Sequence, residues 1–206
     1  MAGFAFLFLD CEFGGLDPEL HDITEIGAIL TDYRLAELAS GEWKVRARPE
    51  RITPEAAEIF GYDPELWERE GVPLRKALGE LVALLPTDRT VVPAGQNVRM
   101  DVAFLERAFR NCGIPWPFDY HVIDLATLFY AWSLVHGEEL GALSLRHAAT
   151  RAGLADGSIP HRALGDARLT LETFRHYIGC LAPRAREEES AAPPPTPDPT
   201  PGGDGP

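Results

Sequence analysis

Five side chains in this sequence have the types and spacing to do chemistry together: Asp10, Glu12, Asp101, His161 and Asp166. Asp10 and Glu12 follow an apolar, aromatic-rich run over residues 4–9 that has no Gly or Pro and reads as a short strand buried on both faces. Side chains at i and i+2 of a strand share a face, which makes these carboxylates neighbours, roughly 6–7 Å apart along the strand. Two like charges at the end of a buried strand repel and are poorly solvated. A divalent cation between them removes both problems, and hard oxygen donors suit Mg²⁺ or Mn²⁺. The same pair also arises where a strand simply surfaces with both acids in water. Taken alone, the dyad leaves these two readings balanced.

Asp101 and Asp166 each fall at the start of an expected helix, where an acid complements the macrodipole whatever else it does. His161 lies five residues before Asp166. On one continuous helix that spacing would turn the two side chains some 140° apart. They can address one site only if His161 stands in the loop before the helix, which Pro160 permits, with Asp166 inside the helix.

The elements that must position these groups follow from the hydrophobic pattern. Residues 23–30 read as a second strand and residues 43–48 as a third, joined by turn-like links that indicate an antiparallel meander. Residues 90–94 form a short apolar strand whose Pro93 makes it an edge or breaks it, and residues 122–123 a fifth. Helices are expected from Pro54 to about Phe60, from 73 to 85, from 99 to 111 behind the Gly95-Gln96-Asn97 turn, and from 125 to 135. Ser144 caps another to about Ala152, and a last helix runs from 163 to 178. Three strands followed by strands alternating with helices define an α/β domain: a mixed five-stranded sheet flanked by helices. Residues 1–182 make up this domain. Residues 183–206, acidic and then Pro/Gly-rich, cannot bury a core and are expected to be a disordered tail.

Composition narrows the function classes. With 45% hydrophobic and 25% charged residues the chain reads as an ordinary globular protein, and no apolar run is long enough to cross a membrane. A cytoplasmic location and no membrane partner are expected. Cys11, Cys112 and Cys180 are odd in number and widely spaced, which argues against a disulfide framework or a zinc site and fits a reducing compartment. Cys11 reads as a small buried thiol. A net charge of −13 excludes a broad electrostatic wrap around duplex DNA. It does not exclude an enzyme that grips a terminal nucleotide through metal ions, whose charge reverses the local field.

Asp10, Glu12, Asp101, His161 and Asp166, in that order and context, resemble the DEDDh family of 3′→5′ exonucleases, which have a ribonuclease H-like fold. The resemblance runs from about residue 4 to 177 and includes Gly15-Leu16-Asp17-Pro18, Ile26-Gly27-Ala28, Asn97-x-x-x-Asp101-x-x-Phe104-Leu105 and His161-Arg162-Ala163-Leu164-x-Asp166-Ala167. It implies that Asp10 bridges two divalent ions, Mg²⁺ or Mn²⁺, that Glu12 and Asp166 complete the ion carrying the attacking water, and that Asp101 holds the other. His161 would take the proton of the nucleophile. Leu16 corresponds to a residue that in relatives wedges against the terminal base, although a loop leucine packed on the core is an equal alternative. Asn97 would contact the ribose or phosphate if it is not simply a turn residue. Phe13-Gly14 and Gln96 depart from the commoner family residues at positions near the substrate, so base and sugar preference stay open.

The function implied is release of nucleoside monophosphates from the 3′ end of single-stranded nucleic acid by two-metal-ion hydrolysis, with DNA favoured over RNA. An exoribonuclease of short RNA is one alternative, and a different metal phosphodiesterase or nucleotide phosphatase another. A catalytically silent module that binds a polymerase is the reading from another class. Family members that are dimers or polymerase-bound make a homodimer or polymerase partner the further expectation.

Overall fold

The computed structural model describes residues 3–155 and 162–181. Five strands form one mixed sheet in the order β3-β2-β1-β4-β5. The chain enters on β1 (Gly3–Phe13), returns on β2 (Ile23–Asp32) and turns again into β3 (Glu37–Lys44). These three are the expected antiparallel meander. Three helices follow, α1 (Pro54–Phe60), α2 (Pro64–Glu70) and α3 (Leu74–Ala83). Then β4 (Arg89–Gly95) pairs parallel to β1, α4 (Arg99–Cys112) crosses over, and the two-residue β5 (Ile123–Asp124) pairs parallel to the end of β4. Helices α5 (Leu125–His136), α6 (Leu145–Arg151) and α7 (Ala163–Leu181) complete the domain.

The alternation of β1 divides the interior into two layers. Ala5, Leu7, Leu9 and Cys11 face α3 and α4, packing on Leu78, Leu81, Phe104, Leu105 and Phe109. Phe8 points to the other face, against Leu125 and Phe129 of α5, Ala148 of α6 and Leu171, Phe174 and Tyr177 of α7. Helices cover both faces of the central strands, and so residues 4–9 of β1 and 26–30 of β2 are continuous apolar runs rather than alternating with polar residues.

Several sequence expectations shift. The first strand does not stop at Leu9: pairing with β2 continues through Asp10↔Gly27, Cys11↔Ile26 and Glu12↔Glu25, so both acids sit within the ladder. The third strand is Glu37–Lys44, not 43–48. As the sheet's outer strand it is half exposed, and its apolar alternation is correspondingly weak; the alternation in 43–48 reflects chain leaving the sheet, where Val45 bridges to Val72. Pro93 neither breaks β4 nor puts the whole strand at an edge. β5 pairs only with Ala94 and Gly95, so at Pro93 the strand has a neighbour on the β1 side alone, and a proline is tolerated there. Beside it the loop before β5 closes on the strand, Asp119 N–H donating to the Val91 carbonyl at 2.9 Å.

Helix α2 is an addition to the expected set. Asp63 caps it, accepting from the Glu65 and Leu66 N–H groups, and Pro64 takes the first position. Its Trp67 is fully buried, and the indole N–H donates to the Thr24 carbonyl at 2.8 Å, tying α2 to β2 where β2 passes the acidic residues. Trp67→Ala is expected to lower the unfolding free energy in urea by about 3–5 kcal/mol. Trp67→Phe, which keeps most of the ring volume and loses only the indole bond to a Thr24 carbonyl that still accepts from the Val45 N–H at 2.8 Å, should cost about 0.5–1.5 kcal/mol.

Candidate active site

The site assembles where β1 emerges from the core. Asp10 and Glu12 project to the α7 face, and α7 carries Asp166 in its first turn. A glycine brings the helix this close. Gly27 stands opposite Asp10 in the ladder, and a Cβ there would lie 2.2 Å from the Ala163 carbonyl carbon and 2.2 Å from the Leu164 nitrogen. The backbone of α7 therefore rests directly on β2. As a result, one carboxylate oxygen each from Asp10, Glu12 and Asp166 lie within 4.8 Å of one another.

Asp101 reaches the same strand from α4. It is buried in the first turn of α4, and its Oδ1 accepts the Cys11 N–H at 2.8 Å. It stands outside the group of three, but its charge acts on Asp10. Asp124 fixes the start of α4: one carboxylate oxygen accepts from the Val98 N–H at 3.0 Å, the other from the Ala126 N–H at 2.9 Å. Sequence reasoning missed Asp124, although an Asp directly before a helical run is a recognisable cap.

It also missed Glu25, which is paired with Glu12 across the ladder and 1% exposed. A lone acid inside the otherwise apolar run of residues 23–30 was its signal. Arg162, just before α7, stands 3.9 Å from the Glu25 carboxylate and over the Trp67 ring, supplying positive charge beside the acids.

Crowding shows in the acidities. Burial first, then the charges of Asp101, Asp166, Glu12 and Glu25, hold the Asp10 carboxyl well above the usual range. Burial, with Asp166 and Glu25 adding to it against Arg162, raises Glu12 to about 7. Burial raises Asp101 to about 8, against the lowering by the N–H groups it accepts. Three convergent carboxylates, of which Asp10 and Glu12 are held above the usual range, are a hard, anionic donor set that fits a divalent cation.

Among the other expected residues, Phe13 stacks on Phe104, ring centroids 4.0 Å apart, and with Glu12 lines a cleft of about 520 Å³. Leu16 lines the same cleft and is 80% exposed, so it is not packed on the core. Ala56, Ile59 and Phe60 of α1 form the cleft's far wall. Asn97 is exposed, takes the left-handed conformation (φ 52°) and accepts from the Met100 N–H, a turn role. His161 and the tail from 183 onward lie outside the described residues.

A mixed sheet with two helical layers and carboxylates converging at the end of its central strand defines a class. The RNase T exonuclease family matches residues 7–174, and the chain belongs to it. The PolC-type DNA polymerase III of Thermotoga petrophila is 31% identical over 176 residues, 84% of this chain; the chain spans only 12% of that protein's length. The oligoribonuclease of Alkalilimnicola ehrlichii is 28% identical over 187 residues, covering 83% of this chain and 86% of its own. Among solved structures, the zinc-bound complex of E. coli exonuclease I with single-stranded DNA superposes with a TM-score of 0.74 at 20% identity, covering 87% of this chain and 41% of that one. The fold is the ribonuclease H-like exonuclease fold expected from the motifs.

Raised carboxyl acidities carry a sign for stability. A folded carboxyl that keeps its proton stabilises the native state below its ordinary value near 4 and loses that contribution as pH rises through 7 to 8. The melting temperature of the metal-free protein is therefore expected to fall between pH 5 and pH 8. Added Mn²⁺ should raise it more at pH 8 than at pH 5, and Glu12→Gln should flatten the metal-free slope. Gly27→Ala, which forces α7 off β2, should abolish the Mn²⁺-induced rise in a thermal-shift assay.

Proposed function

We propose that this chain removes nucleoside monophosphates one at a time from the 3′ end of single-stranded nucleic acid, using Mg²⁺ or Mn²⁺. The convergence of Asp10, Glu12 and Asp166 within 4.8 Å carries this reading. These three would hold one ion; Asp10, with Asp101 directly or through water, would hold a second. When bound, such ions lower the pKa of the attacking water and neutralise the departing 3′ oxygen. The residues around them do the rest. Phe13 and Leu16 present apolar surface on which a terminal base can stack. Arg162 offers positive charge beside the buried acids. His161, one residue before Arg162, takes the proton of the nucleophile.

The polymer is the finer question. The PolC-type relative is a DNA polymerase and the oligoribonuclease relatives are named for short RNA, so both substrates have support among sequence relatives. DNA is the first choice here, with short RNA the second reading. A polymerase or a second copy of the chain is the partner such an exonuclease would take, and three free cysteines fit a reducing, cytoplasmic setting.

The test follows mononucleotide release from matched 3′-labelled DNA and RNA strands. Release should require Mg²⁺ or Mn²⁺ and stop on chelation. Asp10→Asn should lower kcat by about 10³ or more and His161→Ala by about 10²–10⁴, the range of a lost general base. Full turnover in either variant would defeat the mechanism. Consumption of mononucleotides but not of strands would assign a phosphatase instead.

A further inference from the structure

Beyond the cleft beside Glu12 lies a second cavity of about 270 Å³, between the ends of β2 and β3 and the outer face of α4. Arg46, Arg48 and Arg107 line it, with His21, Asp22 and Asn111. Three guanidinium groups around one cavity are notable in a chain of net charge −13. Two of them are held in place. Arg107 donates to the Glu19 carboxylate at 3.1 Å and to the Glu19 carbonyl at 3.2 Å, and Arg48 donates through Nε and Nη2 to Asp22. Arg46, exposed, has no carboxylate within ion-pair distance among the described residues. Asp22 also accepts from the Arg51 Nε at 2.7 Å, so this one carboxylate is shared by two guanidinium groups and the cavity keeps a positive balance.

The cavity joins the acidic site through one side chain. The His21 ring lines both the arginine cavity and the Glu12 cleft. It is packed against Gly15, where a Cβ would lie 2.6 Å from the ring, and its Nδ1 is 3.0 Å from the Asp17 nitrogen, which donates to it. Phe104 continues the wall, stacking on Phe13 on one side and lining the arginine cavity on the other. A continuous surface thus runs from the carboxylates, over apolar and aromatic groups, to the guanidinium groups.

We propose that the arginine cavity formed by Arg46, Arg48 and Arg107 binds a backbone phosphate of the substrate strand, 5′ to the nucleotide being removed. This rests on the exonuclease reading. An enzyme working at a 3′ end has polymer only on the 5′ side, so strand bound beyond the terminal cleft must be that portion. Planar, weakly hydrated guanidinium groups match phosphodiester oxygens. The enzyme consequently prefers strands to dinucleotides.

Two measurements decide it. Binding of a 5′-fluorescein 12-nucleotide strand is followed by anisotropy in an Asp10→Asn background with Mg²⁺, where the strand is not consumed. Arg46→Glu should weaken binding by about tenfold or more, the factor carried by one charged hydrogen bond. Arg46→Ala should reduce the slope of log affinity against log salt by about 0.7, as for one phosphate contact on a single strand. Asn111→Lys, which adds a charge to the rim, should tighten binding. Arg34→Glu is the charge-matched control, at the opposite end of the sheet from the acids, and should leave binding as it was. In the active enzyme, Arg46→Glu should narrow the ratio of kcat/KM for the 12-mer to that for the dinucleotide by a similar factor. Unchanged binding and ratio in Arg46→Glu, or equal losses in Arg34→Glu, would overturn the proposal. Failure of the unmutated chain to hydrolyse either length would instead overturn the exonuclease reading, and the anisotropy series would still decide whether the cavity binds the strand.

Discussion

Mutual repulsion among buried carboxylates is the constraint on which the rest of this structure depends. Asp10, Glu12, Asp101, Asp166 and Glu25 are gathered around the end of one strand, where water is scarce and each raises the cost of ionising its neighbours. Nothing in hydrophobic packing calls for this arrangement. It persists because the surrounding elements over-determine it. The ladder fixes Asp10 and Glu12 on one face, the bare backbone at Gly27 sets the approach of α7, and Asp124 pins the start of α4 behind Asp101. A fold that spends stability to hold anionic oxygens together is suited to cations, and through them to phosphates.

Under the proposed function, the same constraint explains how an acidic chain would meet an acidic polymer. Overall charge describes the far field, which would repel a nucleic acid at distance and is screened within about 8 Å at physiological salt. Close contact is governed by local groups. Arg162 stands beside the carboxylates, the Phe13–Phe104 stack offers uncharged surface next to them, and arginines line the neighbouring cavity. Affinity built this way is short-ranged and suited to strand ends.

The parts of this design visible in the sequence are those with a strong period or a sharp boundary. The Asp10–Glu12 pair could be placed on one face because a strand alternates strictly, and Asp166 in a first turn because the last helix was read as starting at about residue 163. The order of strands and helices followed from runs of apolar residues. What escaped depends on tertiary context. Helix α2 is a single two-turn segment whose stability comes from burying Trp67 against β2, a contact that local propensity does not record. The outer strand β3 mixes polar Glu37, Ser40 and Glu42 with an exposed Leu38, so no clean alternation marked its boundaries. Glu25 was hidden because an acid within an apolar strand makes sense only once its neighbour Glu12 and the nearby Arg162 are known. That Asp101 holds the Cys11 N–H is a relation between residues 90 positions apart and leaves no local trace.

Pro93 and Asp119 have a meaning outside the candidate site. The flank of β4 between Arg89 and Pro93 extends past the short β5, and exposed ladder groups of this kind recruit strands from other molecules. Here the proline withholds a donor at one position, Asp119 occupies the carbonyl of Val91, and the charged Arg89 stands at the strand's start. The sheet is thereby guarded against intermolecular β-pairing along that flank, which favours solubility while the chain is crowded or partly folded.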